Sequence, residues 1–552
     1  MLDPASDFAP KRNTVCPCGS GKKYKRCCGR TADDPHALGA HAEAQRLLLE
    51  GNRCLNGGQY HAAIDYYDRA VALNPSLHPA YNDLGVMLEA KGLWHEALII
   101  FQKTVEYTAG KPVAPRTGLN FLKFIHNYQV HLFKLQRTAA NDPAAICTEH
   151  LKFGRQIENM MRPYWRAHEN PIEPERRLRV GYVSPDFRKH SVAYFIEPVI
   201  ALHDRDQVEV FCYYTCPTSD PVTRHFEEIS DHWLDCAEIS PLLLADRMRK
   251  DGIDILVDLA GHTFGNRALA FALKPAPIQI SYLGYPATTG LSAIDYRLTD
   301  ALADPADVTD RYFVEKPLHL KPAMIAYRPG FGPTGLLGDD PLPVQSAPVL
   351  RNGHVTFGCF NDVTKHNDDL IATWARLLAR VPGSKLVLKS SHGLLEQQSA
   401  VRLGFAAHGI DLERLVLLDR EEDTARHLAR YSDIDISLDT FPYNGVTTSC
   451  ESLWMGVPFV TLAGRTPSSR MGVSIATNLG HPEWIAHSRD EYVDKAAALA
   501  SDPQHLNQMR LALRQALTDS PLMDTRTFAR TLEAAYRGVW RDWCANQEPR
   551  AV

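Results

Sequence analysis

At 552 residues the chain has room for about three or four domains. Its formal net charge of -5 supplies no global basic field for nucleic acid or an acidic membrane surface. No apolar run reaches transmembrane length, so membrane insertion is not expected. Met1–Asn13 lacks the apolar core of a signal peptide, and a cytoplasmic protein is the expectation.

Four of the twelve cysteines crowd into residues 16–28, and the other eight are scattered as reduced thiols are. The crowded stretch reads Cys16-Pro-Cys18, eight residues, then Cys27-Cys28. Four thiolates so close suit a soft metal in a closed tetrahedral site, and a segment too short for a core would take its folding energy from that metal. Zinc on Cys16, Cys18, Cys27 and Cys28 is the reading. The segment resembles the SEC-C motif, the zinc tail of the SecA translocation ATPase. Lys22, Lys23, Lys25 and Arg26 make it either a docking patch or a solvated basic loop. Residues 1–35 are taken as this motif and a linker.

From about Ala42 the chain repeats with a period of 34. Gly51 and Gly85, Gly58 and Gly92, Tyr60 and Trp94, Ala63 and Ala97, and Tyr67 and Phe101 all hold it. Small residues at close helix contacts with aromatics between them form the tetratricopeptide signature. Residues 42–111 should hold two repeats, with a helical connector over 112–175. Stacked helix pairs form a concave binding surface, and a plain helical bundle is the weaker alternative because five positions hold one period.

At Arg177 the texture changes to apolar strands alternating with helix-length segments, the pattern of a parallel sheet covered by helices. Leu178 to Ser184, Val208 to Tyr213, Ile253 to Leu259 and Ala276 to Tyr285 read as strands. Ligands of such sheets sit beyond the carboxyl ends of strands, where His190 and His262 lie. Residues 177–325 form this first unit, and the Pro- and Gly-rich 326–350 is a linker. A second alternating unit spans 351–520, with strands at Val355 to Phe360, Lys385 to Lys389 and Leu415 to Leu418. A short helix carries His427 and Arg430, and Lys365 follows the first strand. A last helix over 521–545 returns to the first unit.

One stretch of the second unit, Asp439 to Thr461, reads as loop, helix, strand. The loop to Val446 has Pro, Asn and Gly; Thr447 and Thr448 begin a helix; Gly456-Val-Pro458 ends it. A polar loop feeding a helix N-terminus makes an anion site, because unpaired N–H groups and the positive dipole end face the ligand. Glu451, one turn on, is placed to accept from sugar hydroxyls. An ordinary βα turn with threonine caps is the plainer alternative.

Two such units with a cleft between them describe a GT-B glycosyltransferase: two doubly wound Rossmann-like lobes, preceded here by an all-α tetratricopeptide region and a small zinc motif. The motifs Val183-Ser-Pro-Asp186, His190-Ser-Val, Tyr194-Phe-Ile-Glu197, Gly261-His-Thr263, Gly284-Tyr-Pro286, Phe360-Asn361 with Lys365, and Cys450-Glu-Ser-Leu resemble the SPINDLY branch of the O-GlcNAc transferase family. The resemblance runs from about 177 to 540. It implies inverting transfer of one sugar from a nucleotide sugar to Ser or Thr of proteins, with no catalytic metal. By resemblance, Lys365 neutralises the diphosphate, Thr447 and Thr448 bind it, and Glu451 binds the ribose. His427 and Arg430 lie near the base, Asn361 lies beside Lys365, and His190 is a base or positioning group with His262 in the second wall. The donor is UDP-GlcNAc on broad family usage, with GDP-fucose permitted by the SPINDLY likeness. A non-catalytic tetratricopeptide and zinc adaptor is the reading from another class. Asp362 departs from the family's amide, and an ionised group there would repel the diphosphate unless it points away.

Overall fold

The computed structural model describes residues 35–57, 59–74, 77, 79–90, 100, 103, 118–137, 142–329, 342–389 and 394–547. The proposed zinc ligands Cys16, Cys18, Cys27 and Cys28 lie outside the described residues, as does much of the second predicted repeat. The chain divides into two compact units, 1–131 and 132–552.

The first unit is helical. Its helices include Pro35–Asn56, Tyr60–Leu73 and Pro79–Ala90. Leu55, Ala63, Tyr67, Val71, Tyr81, Leu84 and Leu88 bury together as its core. Gly51 belongs to the close contact: a Cβ there would stand 2.7 Å from the Tyr67 ring. The small residue lets the first two helices approach, and Tyr67 anchors its hydroxyl on Asn52 Oδ1 at 2.5 Å.

The second unit holds two parallel sheets. The first contains β1 (Leu178–Ser184), β2 (Val208–Tyr214), β3 (His232–Asp235), β4 (Ile255–Asp258), β5 (Ile278–Ser281), β6 (Tyr296–Thr299) and β7 (Lys316–His319), in the order β3-β2-β1-β4-β5-β6-β7. The second contains β8 (Thr356–Cys359), β9 (Lys385–Lys389), β10 (Leu415–Leu418), β11 (Ile436–Leu438), β12 (Phe459–Leu462) and β13 (Ile485–Ala486), in the order β10-β9-β8-β11-β12-β13. Both sheets therefore reverse direction at one place, between β1 and β4 and between β8 and β11. Those are the topological switch points where doubly wound folds bind ligands. The two lobes have the GT-B layout.

Buried apolar runs make the central strands. β4, β5 and β8 are buried at every residue, while the edge strands β3 and β7 are exposed at both ends. The helix Thr525–Ala545 lies on the first lobe. Tyr536 meets Tyr182 at 3.2 Å between hydroxyls, Glu533 pairs with His203 at 2.9 Å, and Trp540 Nε1 donates to Glu173 O at 3.0 Å. The lobes also touch directly: Ser474 Oγ donates to Asp300 Oδ2 at 2.7 Å and Lys189 Nζ to Glu422 O at 2.9 Å.

Candidate active site

The second lobe's switch point brings two loops together. One follows β8, from Asn361 to the 3-10 turn Val363–Lys365; the other follows β11, from Asp439 to Val446, and feeds the helix Thr447–Trp454. Lys365 Nζ donates to Asn361 Oδ1 at 3.1 Å and to Asn444 O at 2.9 Å, and lies 4.8 Å from the Tyr443 ring centroid. Thr448 Oγ1 donates to the same Asn361 Oδ1 at 3.0 Å. One amide oxygen thus ties the lysine to the helix N-terminus. That helix has Val446 in its N-cap position, which offers no side-chain hydrogen bond. Among the described residues, no partner is recorded for the N–H groups of Thr447 and Thr448. An uncapped helix start beside an ammonium is an arrangement that favours an anion, a candidate anion site.

Asp439 holds the second loop in shape. Its carboxylate accepts from Gly445 N at 2.7 Å, Thr440 N at 2.9 Å and Thr461 Oγ1 at 2.8 Å. Burial pushes it up to about 6. Gly445 is required by space, since a Cβ would sit 2.4 Å from Thr448 Oγ1 and 2.8 Å from Asn361 Oδ1. Asp362 turns to its own backbone: Oδ1 accepts from Thr364 N at 3.0 Å and Thr364 Oγ1 at 2.6 Å, capping the turn that carries Lys365.

A second positive charge stands here. Arg137 donates to Thr364 Oγ1 and stacks its guanidinium 4.2 Å from the Phe133 ring centroid. Burial and, next, Arg137 push the Lys365 ammonium down to about 8, against the pull of Asp439 and Asp362.

Glu451 lies one turn into the helix. His427 Nε2 is 2.9 Å from Glu451 Oε2, and Lys389 Nζ is 2.8 Å from His427 Nδ1. Tyr431 links this group to the anion site through Thr448 O at 3.1 Å and Glu451 Oε2 at 3.3 Å. Arg430 instead pairs with Glu421 at 2.8 Å and is partly exposed.

The first lobe contributes His190 at the end of β1. Val192 N donates to its Nδ1 at 3.3 Å, and Asp186 Oδ2 is 3.4 Å from the same nitrogen. Burial and the Arg188 guanidinium push His190 down to about 4, so the ring is neutral near pH 7. Its Nε2 makes no hydrogen bond among the described residues. His262 is enclosed. It is 3% exposed, its Nε2 donates to Thr289 O at 2.8 Å, and Phe153 and Tyr285 pack edge-on against it at 4.9 and 5.0 Å. This places His262 behind the cleft wall, supporting the loop that carries Thr289. Beside this helix start a small cleft opens between Pro286, Thr288, Tyr312, Arg465 and Pro467. Its Ser468 O accepts from Asn444 N at 2.9 Å, on the residue that receives Lys365.

The structure thus joins Asn361, Lys365 and Thr448 in one group and His427 and Glu451 in another. Arg137, Lys389, Tyr431 and Asp439 are the members sequence reading did not find. Arg137 sits 227 residues from its partner Thr364, and no local pattern marks it.

Residues 117–325 and 344–532 match glycosyl transferase family 41, and residues 12–30 match the SEC-C motif. A Solanum lycopersicum protein named probable UDP-N-acetylglucosamine–peptide N-acetylglucosaminyltransferase SPINDLY is 39% identical over 415 residues, covering 72% of this chain and 42% of that protein. An Arabidopsis thaliana relative with the same activity name and the designation SEC is 34% identical, covering 70% and 40%. The chain thus spans about two fifths of the length of these curated relatives. A solved structure of a lysine-to-methionine mutant of the Thermobaculum terrenum O-GlcNAc transferase is 33% identical, covers 94% of each chain and has a TM-score of 0.77. With that family matched across both lobes and relatives at this identity, the chain belongs to glycosyl transferase family 41.

Proposed function

We propose that this chain is an inverting protein O-glycosyltransferase that moves N-acetylglucosamine from UDP-GlcNAc to Ser or Thr hydroxyls of proteins. The observation that carries the reading is the preformed cradle of Lys365, Asn361 and Thr448 at an uncapped helix start. The names of the relatives support the donor and the peptide acceptor. In this reading the acceptor oxygen bonds to the anomeric carbon as the bond to the diphosphate breaks, and the hydroxyl proton passes to the departing diphosphate. Charge developing on the departing diphosphate meets Lys365, Arg137 and the N–H groups of Thr447 and Thr448, where fixed donors stabilise most. Glu451 takes the ribose, with His427 beside it and Arg430 at the rim toward the base. His190, through Nε2, positions an oxygen of sugar or acceptor. His262 supports the wall. The predicted repeats of 42–111 present acceptor proteins. The four N-terminal thiolates hold a structural zinc, which metal analysis with and without residues 1–35 tests.

Titration with UDP and GDP in excess EDTA tests the donor site. Binding of UDP over GDP without added metal is expected. The reverse preference would replace the donor by a guanine nucleotide sugar such as GDP-fucose, and binding of neither would leave only the adaptor reading.

The Lys365 ammonium gives a pH dependence. The charged form binds diphosphate, so donor capture holds below pH 8 and falls as pH rises through about 8. Bound diphosphate favours the charged lysine, so the alkaline limb of kcat should lie above that of kcat/KM for the donor. A kcat/KM profile flat for a full pH unit beyond that point would contradict it.

A further inference from the structure

Lys389 ends β9 beside the second switch point and is 5% exposed. Burying an ammonium is costly unless something compensates it. Among the described residues, no carboxylate is recorded within ion-pair distance of it. Its polar contact is His427 Nδ1 at 2.8 Å, and its face contact is the Phe360 ring, 5.8 Å to the centroid.

That contact has a chemical consequence. An ammonium has three hydrogens and no lone pair, so it can only donate. His427 Nδ1 must then accept, which places the ring proton on Nε2. Nε2 faces Glu451 Oε2 at 2.9 Å and donates to it. Tyr431 Oη adds a second contact to the same oxygen at 3.3 Å. Oε2 is therefore engaged twice, while no described hydrogen bond uses Oε1. Glu451 is 6% exposed, so this orientation is fixed inside the fold. It follows Thr448 by three residues, about 4.5 Å along the helix axis, on the order of the step from a nucleotide's phosphate to its sugar.

We propose that Lys389 is a positioning residue for the donor: it locks His427 as the Nε2–H tautomer and so aims the Oε1 of Glu451 at the ribose hydroxyls. This rests on the donor-site reading above. With Lys389 absent, the imidazole is free to turn, and the carboxylate loses its fixed aim. A lysine that merely fills a strand end would have no such effect.

The test is calorimetric titration of UDP and UMP (GDP and GMP if guanine is the base bound) into the full chain, Lys389→Met, Glu451→Gln and the double variant. Lys389→Met should weaken the diphosphate and the monophosphate by the same factor, about tenfold for a lost hydrogen bond to a charged group. The turnover at saturating donor should stay within about twofold, the pattern of lost uniform binding. In the Glu451→Gln background Lys389→Met should cost nothing further, because the path it acts through is gone. Additive effects, a loss confined to the diphosphate, or no loss would overturn the proposal. Failure of the wild-type chain to bind any of these nucleotides would instead sink the donor site itself. Should Lys389→Met not fold, 15N-histidine spectra of the wild-type chain decide, with the His427 signal assigned by its loss in His427→Gln. A neutral Nε2–H ring is expected; an Nδ1–H ring or an imidazolium overturns the proposal.

Discussion

Lys365→Ala should lower turnover by about 100-fold or more, the scale seen when one preorganised donor to developing charge is removed. The fold should survive. Lys365 is half-buried, and Asn361 Oδ1 still receives Thr448 Oγ1 at 3.0 Å without it. Asn444 O, on a residue 1% exposed, loses its Lys365 donor, so a small drop in unfolding temperature is expected without loss of the fold. The loss stops short of abolition because Arg137 and the N–H groups of the helix start remain. It should also fall more on kcat than on donor KM, since the negative charge on the leaving oxygen is greatest in the transition state. Asp362→Asn is the matched control. Its carboxylate already accepts from Thr364 at 2.6 and 3.0 Å, and an amide oxygen can do the same, so a modest effect is expected. Steady-state kinetics of both variants, with unfolding curves, make the comparison. Near-wild-type turnover of Lys365→Ala would remove the lysine from the site.

What the sequence made legible follows from burial. Strands covered on both faces are apolar runs, and β1, β9 and β12 were readable from theirs. The edge strand β10 was readable as well, because its four residues are all Leu or Val. The edge strands of the first lobe were not. β3 and β7 are four residues long with exposed ends, and β7 carries Pro317, so no apolar run marks either one. β6 is polar at two of its four residues and shows no apolar run. β13 is two residues long, below any periodicity.

The site divides along the same line. Residues on the two switch-point loops could be found because loops at strand ends are where doubly wound folds place ligands. Asn361 and Lys365 lie on one of those loops, and Thr448 on the helix that the other feeds. Lys389 was hidden as the last residue of a strand, and Arg137 as the end of a helix in another part of the chain. His262 shows the converse. Its position after β4 suggests the cleft, yet Phe153 and Tyr285 close over its ring. Which face of a loop a side chain takes depends on what packs across from it, and a helix from 132 residues before the loop decides it: His150 is bonded to Ile146 O at 2.6 Å through Nδ1, so its Nε2 receives the Tyr285 hydroxyl at 2.6 Å.

That helix, Pro143–Met161, also carries the second large expected effect. Gly154→Ala should destabilise the second unit by about 3 kcal/mol or more, at the upper end of overpacking costs. An added Cβ would stand 1.7 Å from Gly290 O and 2.4 Å from its carbonyl carbon. The obstacle is backbone, so no side chain can swing aside. Gly290 cannot retreat either. It has φ +76°, and its own Cβ position lies 2.0 Å from His150 O, so the two segments already touch main chain to main chain. Flanking contacts hold the pair closed: Glu158 accepts from Ser292 Oγ at 2.7 Å and Ala293 N at 2.8 Å. Forcing the segments apart would strain these bonds and shift Thr289, whose carbonyl receives His262. Protection of amides 285–293 from hydrogen exchange should therefore fall along with the melting temperature. Gly538→Ala provides the contrast. Gly538 is an exposed glycine inside the helix Thr525–Ala545 with nothing within 4 Å of its would-be Cβ. Alanine there should stabilise by up to about 1 kcal/mol through helix propensity. If Gly154→Ala unfolds and exchanges like the wild-type chain, the close approach of this helix to the Tyr285–Gly290 loop is not what holds the cleft wall in place.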